Sequence, residues 1–205
     1  MRVRDDLNHF QVTRPPIAAA QRIAFIGCSG SGKTTLAATL AELTGLPHIC
    51  LDQLFWKPGW VMANEAEAQA RAEAVATTER WIIEGNYGAS FPNRLSRADL
   101  VVWFDFPTWF CLYRVLRRIW THYGKVRPMM PEGCPERLDW EFLNYIRTYR
   151  TKQRPKLLKA MDSYVKDGTI VRIHNEFGLR SFVEAMRVFV ATSTDEPIAA
   201  PLGQV

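Results

Sequence analysis

The 205 residues carry 47% hydrophobic and 23% charged side chains with a net charge of +5, which suits one ordinary α/β domain and leaves no room for two large ones. Four scattered cysteines (Cys28, Cys50, Cys111, Cys134) lack the paired spacing of a zinc site, so a reducing, cytoplasmic setting is expected. Residues 1–20 include Asp5, Asp6, Pro15 and Pro16 in place of a secretory apolar run, and no segment is long enough to cross a bilayer, so neither export nor a membrane span is expected.

In chain order, residues 1–20 read as a flexible extension, residues 21–190 as the folded domain and residues 191–205 as a flexible tail rich in small residues and Pro. The apolar run 22–27 predicts a buried parallel strand, and 33–43 predicts a helix. Between them, Gly27-Cys28-Ser29-Gly30-Ser31-Gly32-Lys33-Thr34 matches the phosphate-binding pattern G-x-x-x-x-G-K-[ST] without departure, and Thr35 continues it into the helix. Such a loop turns successive backbone N–H groups inward while the helix N-terminus adds partial positive charge. Lys33 then reaches the β- and γ-phosphates of a nucleotide, and the Thr34 hydroxyl is offered to Mg²⁺.

Further strands are predicted near 47–51, 80–84, 99–105 and 169–173, separated by helical or mixed segments without an internal repeat. This alternation implies a parallel sheet covered on both faces, with ligands at the carboxyl ends of its strands. Three strands end in a carboxylate there. Asp52 can accept a hydrogen bond from an acceptor hydroxyl or serve as its base, and Glu84 can hold Mg²⁺ through water or touch the acceptor. For Asp105, helix capping and a role through Mg²⁺-bound water stand side by side. Between Gln53 and Arg80, the aromatics Phe55, Trp56 and Trp60 precede an Ala- and Glu-rich helix; they either stack a base or sugar, or anchor a short insertion.

In 107–120 the residues Trp109, Leu112, Leu116, Ile119 and Trp120 recur at helical spacing and predict one apolar face, with Arg114, Arg117 and Arg118 on another side. Residues 121–138, with Gly124, Pro128, Pro131, Gly133 and Pro135, read as a mobile loop. A second helix follows from Asp139 to about Arg154, carrying Arg147, Arg150 and Arg154 as one stripe and ended or kinked by Pro155. The whole reads as a hinged arm with arginines on both legs, suited to neutralising charge on a transferring phosphoryl group and excluding water. A solvated basic face is the plainer reading, and it is preferred for Lys152, Lys156 and Lys159.

From about Arg22 to Met186 the chain resembles the adenylate kinase-like P-loop kinases, and within them the DNA topology modulation (FlaR-related) proteins. The marks are Gly27–Thr35, Leu51–Trp60, Glu84-Gly85-Asn86-Tyr87-Gly88 and Pro131–Arg137, with the later arginines. The resemblance implies a three-layer fold with a five-stranded parallel sheet, a short acceptor-binding insertion and a helical, arginine-bearing lid at about 121–138. It also implies that Glu84 holds Mg²⁺ through water, that Arg114 and Arg118 clamp ATP, and that Arg147 and Arg150 gather phosphates of both substrates. Arg94 is implied as the acceptor-phosphate arginine, although the run Asn86–Ser90 departs from the family's spacing. By analogy, His174–Gly178 lies where such kinases wrap the adenine.

Two functions follow. One is a kinase that uses ATP and Mg²⁺ to phosphorylate a nucleoside, nucleotide or similar small acceptor through Lys33, Asp52, Arg118, Arg147 and Arg150. The other is a nucleotide-regulated nucleic-acid-binding protein, supported by the positive charge and the basic residues from Arg114 to Lys159.

Overall fold

The computed structural model describes residues 20–193, and the expectations for residues 1–19 and 194–205 lie outside the described residues. Strand β1 (Arg22–Gly27) is buried from Ile23 onward, because each of its faces meets a different core. Ile23 and Phe25 point to one, Ala24 and Ile26 to the other. That double burial explains a continuous apolar run where a half-exposed strand would alternate. Helix α1 (Lys33–Thr44) follows the loop and stops at Gly45, whose left-handed φ of 65° lets its N–H close on the Ala41 carbonyl.

Next come β2 (His48–Cys50), α2 (Asp52–Phe55), and an antiparallel hairpin of β3 (Trp56–Lys57) and β4 (Val61–Met62). Helix α3 (Glu65–Ala76), capped by the Asn64 side chain on Glu67 N–H, leads to β5 (Trp81–Glu84). Helix α4 (Phe91–Arg97) leads to β6 (Leu100–Phe104) and α5 (Thr108–His122). Then follow α6 (Trp140–Lys152), α7 (Arg154–Tyr164), β7 (Thr169–Ile173) and α8 (Glu176–Ser193). Five strands form one parallel sheet in the order β2-β5-β1-β6-β7. Helices α1, α5, α6 and α8 pack on one face, and α2, α3, α4 and α7 on the other, giving the three-layer α/β fold expected. Among the described residues no helix is long and apolar enough to cross a membrane.

Three expectations need correcting. The face of α5 that meets the core is Cys111, Val115 and Ile119, whereas Trp109, Leu116 and Trp120 are 69%, 48% and 87% exposed. The cause is close approach. A side chain on Gly30 would meet the Cys111 carbonyl oxygen at 2.6 Å, so α5 lies too near the loop for a large residue between them. Second, the helix after Asp139 stops at Lys152, and Pro155 opens a separate α7, so Arg154 leaves the stripe of Arg147 and Arg150.

Third, the segment read as a mobile loop is tied down. Tyr123 bridges Glu136, Val126 bridges Pro135, and the buried Glu136 carboxylate accepts from Arg118 Nε at 3.0 Å and from Arg127 Nε. It also holds the hairpin: Trp60 Nε1 donates to the Pro135 carbonyl at 2.9 Å and Gly59 N–H to the Gly133 carbonyl at 2.8 Å. Trp60 thus anchors the insertion to the segment that follows α5.

Candidate functional site

The loop between β1 and α1 is shaped by close packing, since side chains on Gly27 and Gly30 would run into Phe104 and Cys111. Gly32 sits at φ 102° as the N-cap of α1 and supplies no side-chain cap, and the first turn carries no acid. The first-turn N–H groups therefore meet no capping side chain. The nearest neighbour of a side chain built on Gly32 would be the Arg114 guanidinium, 3.6 Å away, so this arginine of α5 stands over the loop mouth. Ser31 is fully buried, and its Oγ has no hydrogen-bond partner among the described residues. Ser29 is half-buried and Thr35 exposed. The Cys28 thiol meets that of Cys111, and this contact together with burial pushes it up, so it stays protonated.

Lys33 is folded back on the loop, where Nζ donates to the carbonyls of Gly27 and Cys28 at 2.8 Å each. Asn86 grips the same peptide from the other side: its Oδ1 accepts from Gly27 N–H at 3.0 Å and its Nδ2 donates to the Gly27 carbonyl. Sequence reasoning left Asn86 without a role. The signals were its place two residues beyond a strand end and its membership of the run Glu84–Gly88 that marks the resemblance.

The strand-end carboxylates diverge. Glu84, 3% exposed at the end of β5, accepts from the Thr34 hydroxyl at 2.9 Å. Its other oxygen, Oε1, faces His48 Nε2 at 3.7 Å, too long for a hydrogen bond. Burial pushes this carboxyl up, but His48, Lys33, Thr34 and Cys50 together outweigh that and hold it below the usual glutamate range. Asp52 opens α2, and its Oδ1 accepts from the Tyr87 hydroxyl at 2.8 Å. The Tyr87 ring stacks on Phe55 at 3.8 Å and 12°, which fixes the hydroxyl. Burial pushes the Asp52 carboxyl up, against the Tyr87 hydrogen bond, so it is more basic than an ordinary aspartate. Lys33 and Glu84 both act on it electrostatically, which puts the three groups in one neighbourhood.

Asp105 belongs elsewhere. Arg154 takes both of its oxygens at 2.8 and 2.9 Å, and Arg172 adds contacts at 2.9 and 2.6 Å, with both guanidinium groups over the Trp103 ring. The N-cap of α5 is instead Pro107, and no side chain caps the helix, so the capping role is not what the structure shows.

The arginines occupy distinct settings. Arg94 is 1% exposed and gives Nη2 to the Gly85 carbonyl at 2.9 Å, while its Nε and Nη1 have no hydrogen-bond partner among the described residues. Burial pulls it down to about 9, so it is still a cation at neutral pH. Arg118 is held by Glu136, and burial followed by the nearby Arg127 pulls it down. Arg147 is exposed and bonded to Asn144 Oδ1 at 3.2 and 2.8 Å, whereas Arg150 is exposed and, like Arg114 and Lys33, acts electrostatically on Cys111. In the segment 174–178, Asn175 Oδ1 caps α8 through Gly178 N–H at 2.7 Å, and the buried His174 Nδ1 lacks a hydrogen-bond partner among the described residues.

Among the described residues no three His, Cys, Asp or Glu side chains gather into a metal cage. Mg²⁺ needs none, since it keeps most of its waters and takes one or two protein oxygens. The Thr34 hydroxyl beside Glu84, whose Oε1 has no hydrogen-bond partner among the described residues, fits that donor set. The uncapped α1 and the orphaned Ser31 hydroxyl likewise fit an anion on the loop.

No protein-family model matches the chain, and no curated protein matches it in sequence. Solved structures match in shape. A shikimate kinase from Acinetobacter baumannii in complex with shikimate superposes with a TM-score of 0.56 at 15% identity, over 89% of this chain and all (100%) of that one. A shikimate kinase from Bacteroides thetaiotaomicron (TM-score 0.47, 20% identity, 84% and 99% covered) and a gluconokinase from Sinorhizobium meliloti 1021 (0.46, 17%, 83% and 91%) also match. The chain thus shares with the Acinetobacter protein an α/β fold, here a five-stranded parallel sheet with flanking helices.

Proposed function

We propose that the protein is an ATP-dependent kinase acting on a small hydroxyl- or phosphate-bearing acceptor, of the adenylate kinase-like, FlaR-related kind. The observation that carries this is the convergence of Lys33, Thr34, Glu84 and Asp52 at the carboxyl edge of the sheet, beside a helix N-terminus without a capping side chain. When bound, ATP·Mg²⁺ supplies the phosphoryl group and a cation that offsets its charge.

The chain's own residues do the rest. Lys33 leaves the Gly27 and Cys28 carbonyls for the phosphate oxygens, and Asn86 keeps the Gly27 peptide in place as it does so. The Thr34 hydroxyl and Glu84 are the residues that would hold the ion, which would offset phosphate charge there. Asp52, raised by burial and steered by Tyr87, orients the acceptor hydroxyl and takes its proton. Arg114 lies over the loop mouth for the donor's phosphates; Arg118, Arg147 and Arg150 add charge as transfer proceeds, and Arg94, bonded to the Gly85 carbonyl, has Nε and Nη1 left to donate. A small-molecule acceptor accords with the shikimate bound to the Acinetobacter enzyme.

The test is ATP consumption over a panel of nucleosides, nucleotides and metabolites, with product identified by mass spectrometry. One acceptor should raise turnover steeply, and Lys33→Ala should lower kcat/KM by about 100-fold or more while changing stability by only about 1 kcal/mol. Slow hydrolysis independent of every acceptor, or full activity in the variant, defeats the reading.

The nucleic-acid alternative rests on free basic groups, and several are committed elsewhere: Arg127 to Glu136, Arg137 to Asp139, and Arg154 to Asp105. DNA affinity that survives physiological salt and responds to ATP would restore it.

A further inference from the structure

A cavity of about 410 Å³ opens between the start of α4 and helices α6 and α7, next to the phosphate loop but not part of it. Neither Lys33, Thr34, Asp52 and Glu84 nor any arginine lines it. It adjoins the loop through Asn86, whose Nδ2 lies 3.4 Å from the Tyr145 hydroxyl, and through Tyr145 and Tyr149, which pack in the same core as Cys28. Its walls include Phe91, Tyr145 and Tyr149; Tyr145 is half-buried, while Phe91 and Tyr149, 8% and 3% exposed, are held in place by packing and present only the parts of their rings that face the cavity. At the rim stand Lys156 and Lys159, three residues apart on α7 and therefore on one side of the helix.

Charge decides what can bind. No Asp or Glu lines the cavity, and neither lysine makes an ion pair or hydrogen bond with the described residues. Two unneutralised ammonium groups over an aromatic pocket favour an anion carried on a flat apolar body. The volume is at the small end of the range for drug-sized ligands. We propose that this cavity is a second binding site, separate from the nucleotide's, for a small planar ring bearing a carboxylate or phosphate. The ring lies against Phe91 and the tyrosines, and the anion meets Lys156 and Lys159. This goes beyond the kinase reading, which uses neither lysine.

Phenyl phosphate is the probe, with benzoate as the carboxylate arm and benzyl alcohol as the neutral arm, and dissociation constants come from calorimetry on the full chain. Phenyl phosphate or benzoate should bind, benzyl alcohol at least about tenfold more weakly, and K156A/K159A should weaken the anion about tenfold or more. Both lysines are exposed, so the double variant should keep the wild-type melting temperature. Lys33→Ala should lose nucleotide binding and keep the probe, which separates this site's failure from failure of the kinase reading. Equal affinity for benzyl alcohol, no loss in the lysine variant, or displacement of the probe by saturating ATP·Mg²⁺ would each overturn the second site.

Discussion

Asp52 and Tyr87 show how one hydrogen bond tunes a half-buried acid. Burial alone makes the Asp52 carboxylate costly and its pKa high; the Tyr87 hydroxyl favours the charged form and limits the rise. A base with a raised pKa loses its active form as pH falls through that value, so the acid limb of kcat/KM should lie above the ordinary aspartate range of about 4. Tyr87→Phe removes the donor and should move that limb to still higher pH, at a stability cost of about 1 kcal/mol. A limb that stays put in Tyr87→Phe would mean that Asp52 is not the titrating group. The same logic fixes a sign for Asp52→Asn. A carboxyl whose folded pKa exceeds its unfolded one adds stability at low pH that is lost as pH rises through the folded value. Replacing it by the neutral amide should therefore hold or raise the melting temperature at pH 7 while turnover falls, and a lower melting temperature would contradict the burial argument.

At the scale of elements, the arm built from α5, the following segment and α6 is organised around Glu136. Its carboxylate is 4% exposed and pairs with Arg118 and Arg127 at once, one oxygen to each, so the segment closes on one buried acid. Glu136→Gln removes that charge from between two half-buried arginines, a loss of about 3 kcal/mol. Because the contacts are local, amide hydrogen exchange should speed up across 123–138 while the sheet stays protected; uniform acceleration everywhere would show that Glu136 supports the whole fold. These elements also mark where the sequence was legible. The five strands of the sheet were, and in the central ones burial on both faces produces apolar runs such as Leu100–Phe104, whereas the edge strands β2 and β7 carry His48 and Arg172. The β3–β4 hairpin was not, because strands of two residues carry no period. The α5 face misled because periodicity groups apolar residues without saying which side meets the core. The small Cys111 and Val115 were chosen by closeness to Gly30, a fact of tertiary contact. The phosphate loop was readable as a motif, while the grip of Asn86 on Gly27 spans 59 residues of sequence and leaves no local pattern.

Over the whole molecule, one carboxylate joins three elements that are far apart in sequence. Asp105, just past β6, is 4% exposed and binds Arg154 at the start of α7 and Arg172 on β7, both stacked on Trp103. Burial pushes the carboxyl up, and the two arginines outweigh it, leaving it below the usual aspartate range. A group depressed on folding contributes stability that is present above its unfolded pKa of about 3.9 and lost as pH falls through the lower folded value. Asp105→Asn leaves two part-buried guanidinium groups without their anion, so unfolding at pH 7 should become easier by about 3 kcal/mol, or roughly 6–12 °C in melting temperature. The gap between wild type and variant should then narrow as the pH drops below about 4, because the wild-type carboxyl itself becomes neutral there. Nucleotide affinity should change little, since neither Lys33 nor Thr34 contacts this cluster. A variant as stable as wild type at pH 7, or a gap that stays constant into acid, would remove Asp105 as the tie between β6, β7 and α7.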